Sequence, residues 1–574
     1  MDYLLVGIAA IVCIVAVTVL SPRVGVAAPL LLVLVGVAIS LLPFVPAIEI
    51  SPEVLLAGVL PPLLYSTAVS MPAMDFRRDF TAISGLSVIL VLISAVVLGL
   101  FFRAVIPGIE LSTGIALGAI VSPTDAVATS IVRRLGVSPR VVTVLEGESL
   151  LNDASALVLL RSAIAATAAS VSVWGVAADF VWAVLAAVAI GVLVGWLNLV
   201  VRRRITEAPL STAISFVVPF VAYVPAEHFG ASGLVAAVAA GLVTGRGSPK
   251  YLSPQDRLYE TSNWRTIELL LEGGVFLLMG LELYGVLEDV QDAHDSPANA
   301  LVVGFAAGAI ILMIRSAYVL PLLLSVRRKR RNASEYRQKV EGLQERLDQG
   351  EVAPRGGAHE QHIRRRIGRA LADVDYLTAV PLGWREGVVL VWAGMRGVVT
   401  LAAAQSLPHD TPERATLVLV AFVVAAGTLL VQGSTLPWAV RMLGLASDEA
   451  GGRDPDLMQL EGEMNRAAST LLDSADLRRR DGTPYDDEVL RRVRATLRRE
   501  VAGDEEEAAE SARIRDEVRE LRLHTIAAER AALLRARSLG TYSSAALSEA
   551  LAMLDADQIS LELKAAPEHG DDNT

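Results

Sequence analysis

The chain has few of the residue types that enzymes and disulfide-stabilised proteins depend on. It contains one cysteine, Cys13, which excludes an internal disulfide framework and a cysteine-based metal site. None of its seven histidines lies in the middle of an apolar segment, and no nucleophile is paired with a base in the sequence pattern. These absences argue against an enzyme, and we expect no cofactor.

Apolar residues, in contrast, are abundant. Hydrophobic residues make up 53% of the 574-residue chain, and its mean hydropathy is +0.49. About thirteen segments, each long enough to cross a ~30 Å hydrocarbon core, precede residue 445. We therefore predict an all-α polytopic membrane protein, with a transmembrane domain over 1–445 and a charged cytoplasmic insertion at 327–380. A cytoplasmic, helical and charged tail is predicted over 446–574.

Basic residues indicate the orientation of the chain. Lys and Arg accumulate in alternate short loops, which the positive-inside rule assigns to the cytoplasm. The N-terminus is therefore predicted outside and the C-terminus in the cytoplasm of a plasma-membrane protein. The basic runs at 327–331 and 364–366 either contact anionic lipid or belong to a solvated helical hairpin. The tail is either a regulatory or dimerising segment or a solvated appendage, and it shows no nucleic-acid-binding pattern.

Three charges lie midway along apolar segments, where each costs roughly 2.5–3.5 kcal/mol to insert. They are Asp125, Asp153 and Arg396, and they belong to three different predicted spans. A single such residue is explained by an ion pair between helices about as well as by a function. Three charged residues at equivalent depth in the membrane favour an ion-binding site over three separate structural ion pairs.

Two of these charges coincide with predicted helix breaks. Pro123 removes a backbone donor from the Ser-Pro-Thr-Asp sequence at 122–125, and two glycines flank Arg396 in the Gly-Met-Arg-Gly sequence at 394–397. Broken helices inside a membrane are tolerated where they line a cavity, as in secondary transporters. The breaks lie seven predicted spans apart, an odd offset that indicates an inverted repeat.

The sixth predicted span carries several polar side chains on one helical face. Ser149, Asn152 and Asp153 are spaced three or four residues apart, and their oxygens suit a hard monovalent cation. Glu148 points elsewhere, and Arg396 is a candidate partner for it because a buried Arg needs a counter-charge. Glu227 and Glu282 are placed at membrane borders, and Glu268 lies in or near a span. Glu272 is placed deeper, with an open lining or structural role.

These motifs resemble those of a known transporter family. The sequences at 122–125, 146–153 and 394–397, with the Gly-Leu-Val-Ala at 233–236 and Gly241, are similar to the monovalent cation:proton antiporter-1 family, which includes NhaP-type antiporters and animal sodium/hydrogen exchangers. The resemblance covers roughly residues 1–445. It implies thirteen helices, a homodimer, and a moving six-helix core in which the two broken helices cross.

The resemblance also implies roles for individual residues. Asp153 is the expected ion- and proton-binding carboxylate, and Asp125, Thr124 and Ser149 are expected to help coordinate the cation. Asn152 is expected to hold the crossing helices, and Glu148 to pair with Arg396. The Asn-Asp order at 152–153 is associated with electroneutral exchange. One departure is Ser66, which stands where several relatives carry an acid.

Together the sequence predicts electroneutral exchange of a monovalent cation, most simply Na⁺, for a proton by alternating access, which would serve pH and sodium homeostasis. Potassium or lithium is left open as the transported cation. A channel is disfavoured because no selectivity-filter sequence is present. A sensor that controls the tail is disfavoured because the tail shows no output module.

Overall fold

The computed structural model describes residues 2–43, 51–168, 173–292, 296–331, 333–349, 357–379, 382–446, 455–474, 477–479, 482–498 and 510–563. Within these ranges the secondary structure is helical, apart from turns and one isolated β-bridge between Arg478 and Pro484. The predicted all-α class is confirmed. The chain divides into two compact units, which are described separately.

The first unit comprises Met1–Tyr251, Tyr259–Asn332 and Val380–Ala450. Its helices are α1 (Asp2–Val24), α2 (Ala28–Ser40), α3 (Leu60–Ser70), α4 (Ala73–Ser84), α5 (Leu90–Val105), α6 (Leu111–Ile120), α7 (Val127–Arg134), α8 (Pro139–Ala168), α9 (Val173–Arg202), α10 (Ala208–His228), α11 (Gly233–Tyr251), α12 (Pro254–Leu281), α13 (Leu283–Asp292), α14 (Pro297–Arg331), and, after the insertion, α17 (Trp384–Trp392), α18 (Val398–Gln405) and α19 (Arg414–Met442). The first residues of α12, up to Leu258, are grouped with the second unit.

Eight helical stretches of the described residues are long and apolar enough to cross a membrane. They are Leu5–Val24, Ala73–Val105, Pro139–Thr167, Ala178–Arg202, Ala208–His228, Pro254–Asp292, Pro297–Arg328 and Arg414–Met442. Shorter apolar helices lie at Ala28–Ser40, Val54–Ser70 and Leu111–Ile120. A membrane protein with several apolar helices is therefore confirmed, whereas the number of thirteen spans stays a prediction.

Close helix packing in this unit depends on glycine. A Cβ on Gly118 in α6 would collide with the carbonyl oxygen of Ala95 in α5. Likewise, a Cβ on Gly195 in α9 would collide with the carbonyl oxygen of Ala240 in α11. Lipid gives apolar helices little hydrophobic reason to associate, so small residues that let backbones approach supply the packing energy instead.

The second unit comprises Leu252–Leu258, Ala333–Ala379 and Gly451–Thr574. Its helices are α15 (Ala333–Asp348), α16 (Gly357–Ala379), α20 (Pro455–Leu472), α21 (Asp487–Arg498), α22 (Glu510–Leu539) and α23 (Ser544–Leu563). Val340 and Leu347 of α15 are buried against Ile367 of α16. The sequence also predicts an amphipathic helix from Ala333 to Leu347, which corresponds to α15. Of the Gly-Pro stretch at 354–357 that is predicted to separate it from a second helix, 354–356 lie outside the described residues and Gly357 begins α16.

Candidate cation site at two helix breaks

The first predicted helix break is present in the structure. Helix α6 ends at Ile120 and α7 begins at Val127, so the intervening backbone is not helical. Pro123 lies in this segment, where its ring removes one amide donor and disfavours helical geometry at Ser122. The segment is buried up to Thr124. Its free peptide groups therefore need partners within the protein.

The second break supplies some of those partners. Helix α17 ends at Trp392 and α18 begins at Val398, with the Gly-Met-Arg-Gly sequence between them. The backbone amide of Asp125 donates a hydrogen bond of 2.8 Å to the carbonyl of Met395. The two interruptions therefore meet at one point in the first unit, although Val121 and Arg396 are 275 positions apart in sequence.

Asp125 lies at the N-termini of two half-helices. Its carboxylate accepts a 2.8 Å hydrogen bond from the amide of Val127, at the start of α7, and the amide of Val398, at the start of α18, lies near it. Helix N-termini carry partial positive charge and favour an anion there. A Cβ at Gly397 would overlap the Asp125 carboxylate, so only glycine fits at 397 with the carboxylate in this place.

Helix α8 presents its polar face to the same point. Asp153 is only 6% exposed and lies near enough to Asp125 for the two carboxylates to repel each other. Ser149 is buried one turn before it. The side-chain amide of Asn152 donates to the Thr124 hydroxyl at 2.6 Å, which ties α8 to the first break. The face expected from the helical spacing is thus directed toward both breaks.

These side chains line one cavity of about 260 Å³. Its polar lining includes Thr124, Asp125, Ser149 and Asp153, the four residues that the family resemblance assigns to the transported cation. In the described ranges no three His, Cys, Asp or Glu side chains converge tightly enough to hold a metal ion by themselves. A cation here would need hydroxyl, carbonyl or water ligands as well, which suits an ion that must also leave.

The predicted pairing of Glu148 with Arg396 is wrong in this structure. Arg396 instead donates to backbone carbonyls of the two breaks, at 3.0 Å to Val121 and 3.2 Å to Ser122, and also to Gly394. Unwound helix ends expose carbonyl groups that a five-donor guanidinium can satisfy. Arg396 therefore joins the two breaks through their backbones and does not neutralise a carboxylate directly.

The partner of Glu148 is Arg315, in the middle of α14. The two groups form a bidentate ion pair, with one contact of 2.7 Å, and both side chains are 1% exposed. Arg315 also donates to the carbonyl of Leu390 in α17 at 2.8 Å. Glu148 in turn accepts a 3.2 Å hydrogen bond from Thr124. The network links α14, α8, α17 and the first break.

The structure also shows the surroundings of the four other glutamates that the sequence analysis names. Glu268 and Glu272, both half-buried on α12, line the cavity. Glu227 pairs with Arg161 at 2.8 Å and accepts from the amide of Gly233, so its role is local. Glu282 is 3% exposed, so its side chain is buried within the protein, and its expected position at a membrane border stays a prediction.

Comparison with known proteins gives this site its context. Residues 8–442 match the family model for the transmembrane domain of sodium/hydrogen exchangers. An uncharacterised Na⁺/H⁺ exchanger of Mycobacterium tuberculosis strain H37Rv is 30% identical over 82% of this chain and 80% of its own length. A Na⁺/H⁺ antiporter of Aphanothece halophytica is 27% identical over 74% of this chain and 71% of its own.

A further relative in Bacillus subtilis, named as a sodium, potassium, lithium and rubidium/H⁺ antiporter, is 27% identical over 71% of this chain and 57% of its own. Among solved structures, a sodium/proton antiporter of Methanocaldococcus jannaschii superposes with a TM-score of 0.55 at 17% identity. That match covers 77% of this chain and 99% of the other, and it shows the shared fold. The chain therefore belongs to the sodium/hydrogen exchanger family, whose members are cation/proton antiporters and not enzymes.

Proposed function

We propose that this protein exchanges one Na⁺ for one proton at Asp153, by alternating access and without net charge movement. The observation that carries the proposal is the position of Asp153. Its carboxylate is buried, lies beside Asp125, and faces a cavity at the meeting point of two broken helices. A carboxylate can bind either a proton or a cation at one time, so binding of one ion requires release of the other.

The ligands proposed for Na⁺ are the carboxylates of Asp153 and Asp125 with the hydroxyls of Ser149 and Thr124. The Thr124 hydroxyl donates to Glu148 and accepts from Asn152, which leaves one of its two lone pairs for a cation. Asn152 and the Glu148–Arg315 pair hold this hydroxyl in position. Arg396 fixes the distance between the two breaks.

The proposal extends to the setting of the protein. We propose a homodimer in the plasma membrane, with the N-terminus outside and the C-terminus in the cytoplasm, that serves pH and sodium homeostasis. No resident cofactor is required, because the ions themselves are the cargo. The tail at 446–574 is proposed to lie in the cytoplasm and to regulate transport, since the residues of the transport site all belong to the first unit.

A K⁺/H⁺ exchanger is the second candidate. The observation in its favour is the name of the Bacillus subtilis relative, which includes potassium, lithium and rubidium as well as sodium. The cavity of about 260 Å³ has room for ions of different size, and carboxylates and hydroxyls are among the groups that line it.

The test is cation-induced dequenching of a pH-sensitive dye in everted vesicles that contain the full-length protein. Respiration first acidifies the vesicles, and NaCl, KCl, LiCl or RbCl is then added. We expect Na⁺ to restore fluorescence at the lowest concentration. A lower half-effective concentration for K⁺ would favour the second candidate, and no response to any of the four salts would contradict antiport.

A further inference from the structure

A contact at the side of the cavity involves two residues that the proposed mechanism does not use. Ser66 in α3 is 6% exposed, and its hydroxyl donates a hydrogen bond to Oε1 of Glu268 in α12. The two residues are 202 positions apart in sequence. The hydroxyl fixes the direction of the Glu268 carboxylate, which retains acceptor capacity for other ligands because an ionised carboxylate has about four lone-pair sites.

Glu268 belongs to a series of acids that leads to the proposed transport site. Glu272 lies one helical turn further along α12, so the two glutamates share a face. Glu272 is within electrostatic range of both Asp125 and Glu268. Both glutamates line the same cavity as Asp125 and Asp153. The four carboxylates therefore line one cavity, between α12 and the helix breaks.

Two buried hydroxyls independently indicate a polar ligand in this cavity. Thr129 in α7 is 4% exposed and Thr400 in α18 is 1% exposed, and both line the cavity. Among the described residues neither hydroxyl oxygen has a hydrogen-bond partner. Buried polar atoms are nearly always satisfied by protein, water or an ion. Both threonines belong to the lining of the cavity that the four carboxylates also line.

One basic residue, Arg133, also lines the cavity, and its ion pair is with an acid other than Glu268. Arg133 lines the cavity and pairs with Glu146, yet its side chain is 64% exposed. It is within electrostatic range of Glu268 but makes its ion pair elsewhere. The hydrogen bond to Glu268 comes from the uncharged hydroxyl of Ser66, which leaves the charge of the carboxylate available to a cation in the cavity.

We propose that Glu268, oriented by Ser66, is a second binding carboxylate for the transported monovalent cation. It takes up the hydrated ion before the ion reaches Asp125 and Asp153, and so it determines the apparent affinity for the cation. This inference rests on the proposed cation/proton exchange and adds a residue that sets the affinity of that exchange. A cavity in which carboxylates outnumber basic groups raises the local concentration of cations.

The test compares full-length variants in the vesicle assay. Glu268→Gln is expected to raise the apparent KM for Na⁺ on the order of tenfold, with the maximal rate changed less than about twofold. A rise in KM at constant kcat is the signature of lost uniform binding. The control Glu288→Gln removes an exposed acid from the neighbouring helix α13 and is expected to leave KM unchanged.

A rescue variant distinguishes the loss of the Glu268 charge from damage to the fold as the cause of a raised KM. Because the Ser66 hydroxyl touches the Glu268 carboxylate, Ser66→Asp places a new carboxylate where the old one was. Ser66→Asp combined with Glu268→Gln is expected to bring KM back to within about threefold of the wild-type value. An unchanged KM in Glu268→Gln, or a raised KM that Ser66→Asp does not lower, would overturn the inference. Wild-type protein without exchange activity would instead refute the proposed function.

Discussion

Replacing Asp153 by asparagine is expected to abolish cation-dependent proton flux. Asparagine keeps the size and hydrogen-bonding shape of the side chain but neither ionises nor takes up a proton, so it can carry neither ion. The cavity, the breaks and the Asn152–Thr124 contact do not depend on the charge of Asp153. Dye dequenching in everted vesicles should therefore fall to the background of empty vesicles, while the amount of folded protein stays the same.

The matched control is Asp179→Asn, which removes an exposed carboxylate near the start of α9. It changes the same functional group outside the cavity and should leave the flux unaltered. Size-exclusion chromatography in detergent shows whether each variant is folded. Substantial flux in a well-folded Asp153→Asn protein would mean that another group carries the proton, and the scheme would fail.

The second large effect is expected at the Glu148–Arg315 pair. Arg315→Met removes the guanidinium but leaves Glu148, which is 1% exposed, without its counter-charge. Breaking one partner of a buried ion pair costs about 3–5 kcal/mol, because the remaining charge is uncompensated. Thermal unfolding of the detergent-solubilised protein should therefore begin at a clearly lower temperature. The double variant Glu148→Gln with Arg315→Met should recover part of the loss, since no buried charge then remains.

An exposed ion pair provides the comparison. Arg161 pairs with Glu227 at 2.8 Å, but its side chain is 58% exposed. Pairs of this kind contribute about 0–1 kcal/mol, so Arg161→Met should hardly move the unfolding transition. Equal and small effects of Arg161→Met and Arg315→Met would contradict the structural role given to the buried pair.

Mid-span charges and breaks could be predicted from the sequence because each rests on local physics. The free-energy cost of placing a charge in the membrane distinguishes Asp125, Asp153 and Arg396 from their apolar neighbours. Pro123 interrupts its helix regardless of which other helices pack against it. The structure brings the first two into one cavity and attaches the third to the backbone of both breaks. The spacing on α8 likewise anticipates which of its side chains face that cavity.

Partners between distant helices could not be predicted in the same way. The pairing of Glu148 depends on which helices pack beside α8, and that information is not local. Arg315 carries the same signal as Arg396, a charge midway along an apolar helix, and this signal was available in the sequence. The contact of Ser66 with Glu268 depends on the packing of α3 near α12. In the sequence, Ser66 is distinguished only because it is uncharged at a position where several relatives carry an acid.

The central claim is that a proton and a cation compete for Asp153. The most direct measurement is the initial rate of Na⁺-driven proton movement in proteoliposomes of purified protein, as a function of Na⁺ concentration at several pH values on the same side. Competition predicts that the apparent KM for Na⁺ rises with proton concentration, by up to about tenfold per pH unit, at a constant maximal rate. An apparent KM for Na⁺ that is independent of pH, or Na⁺ flux without proton movement, would contradict the account.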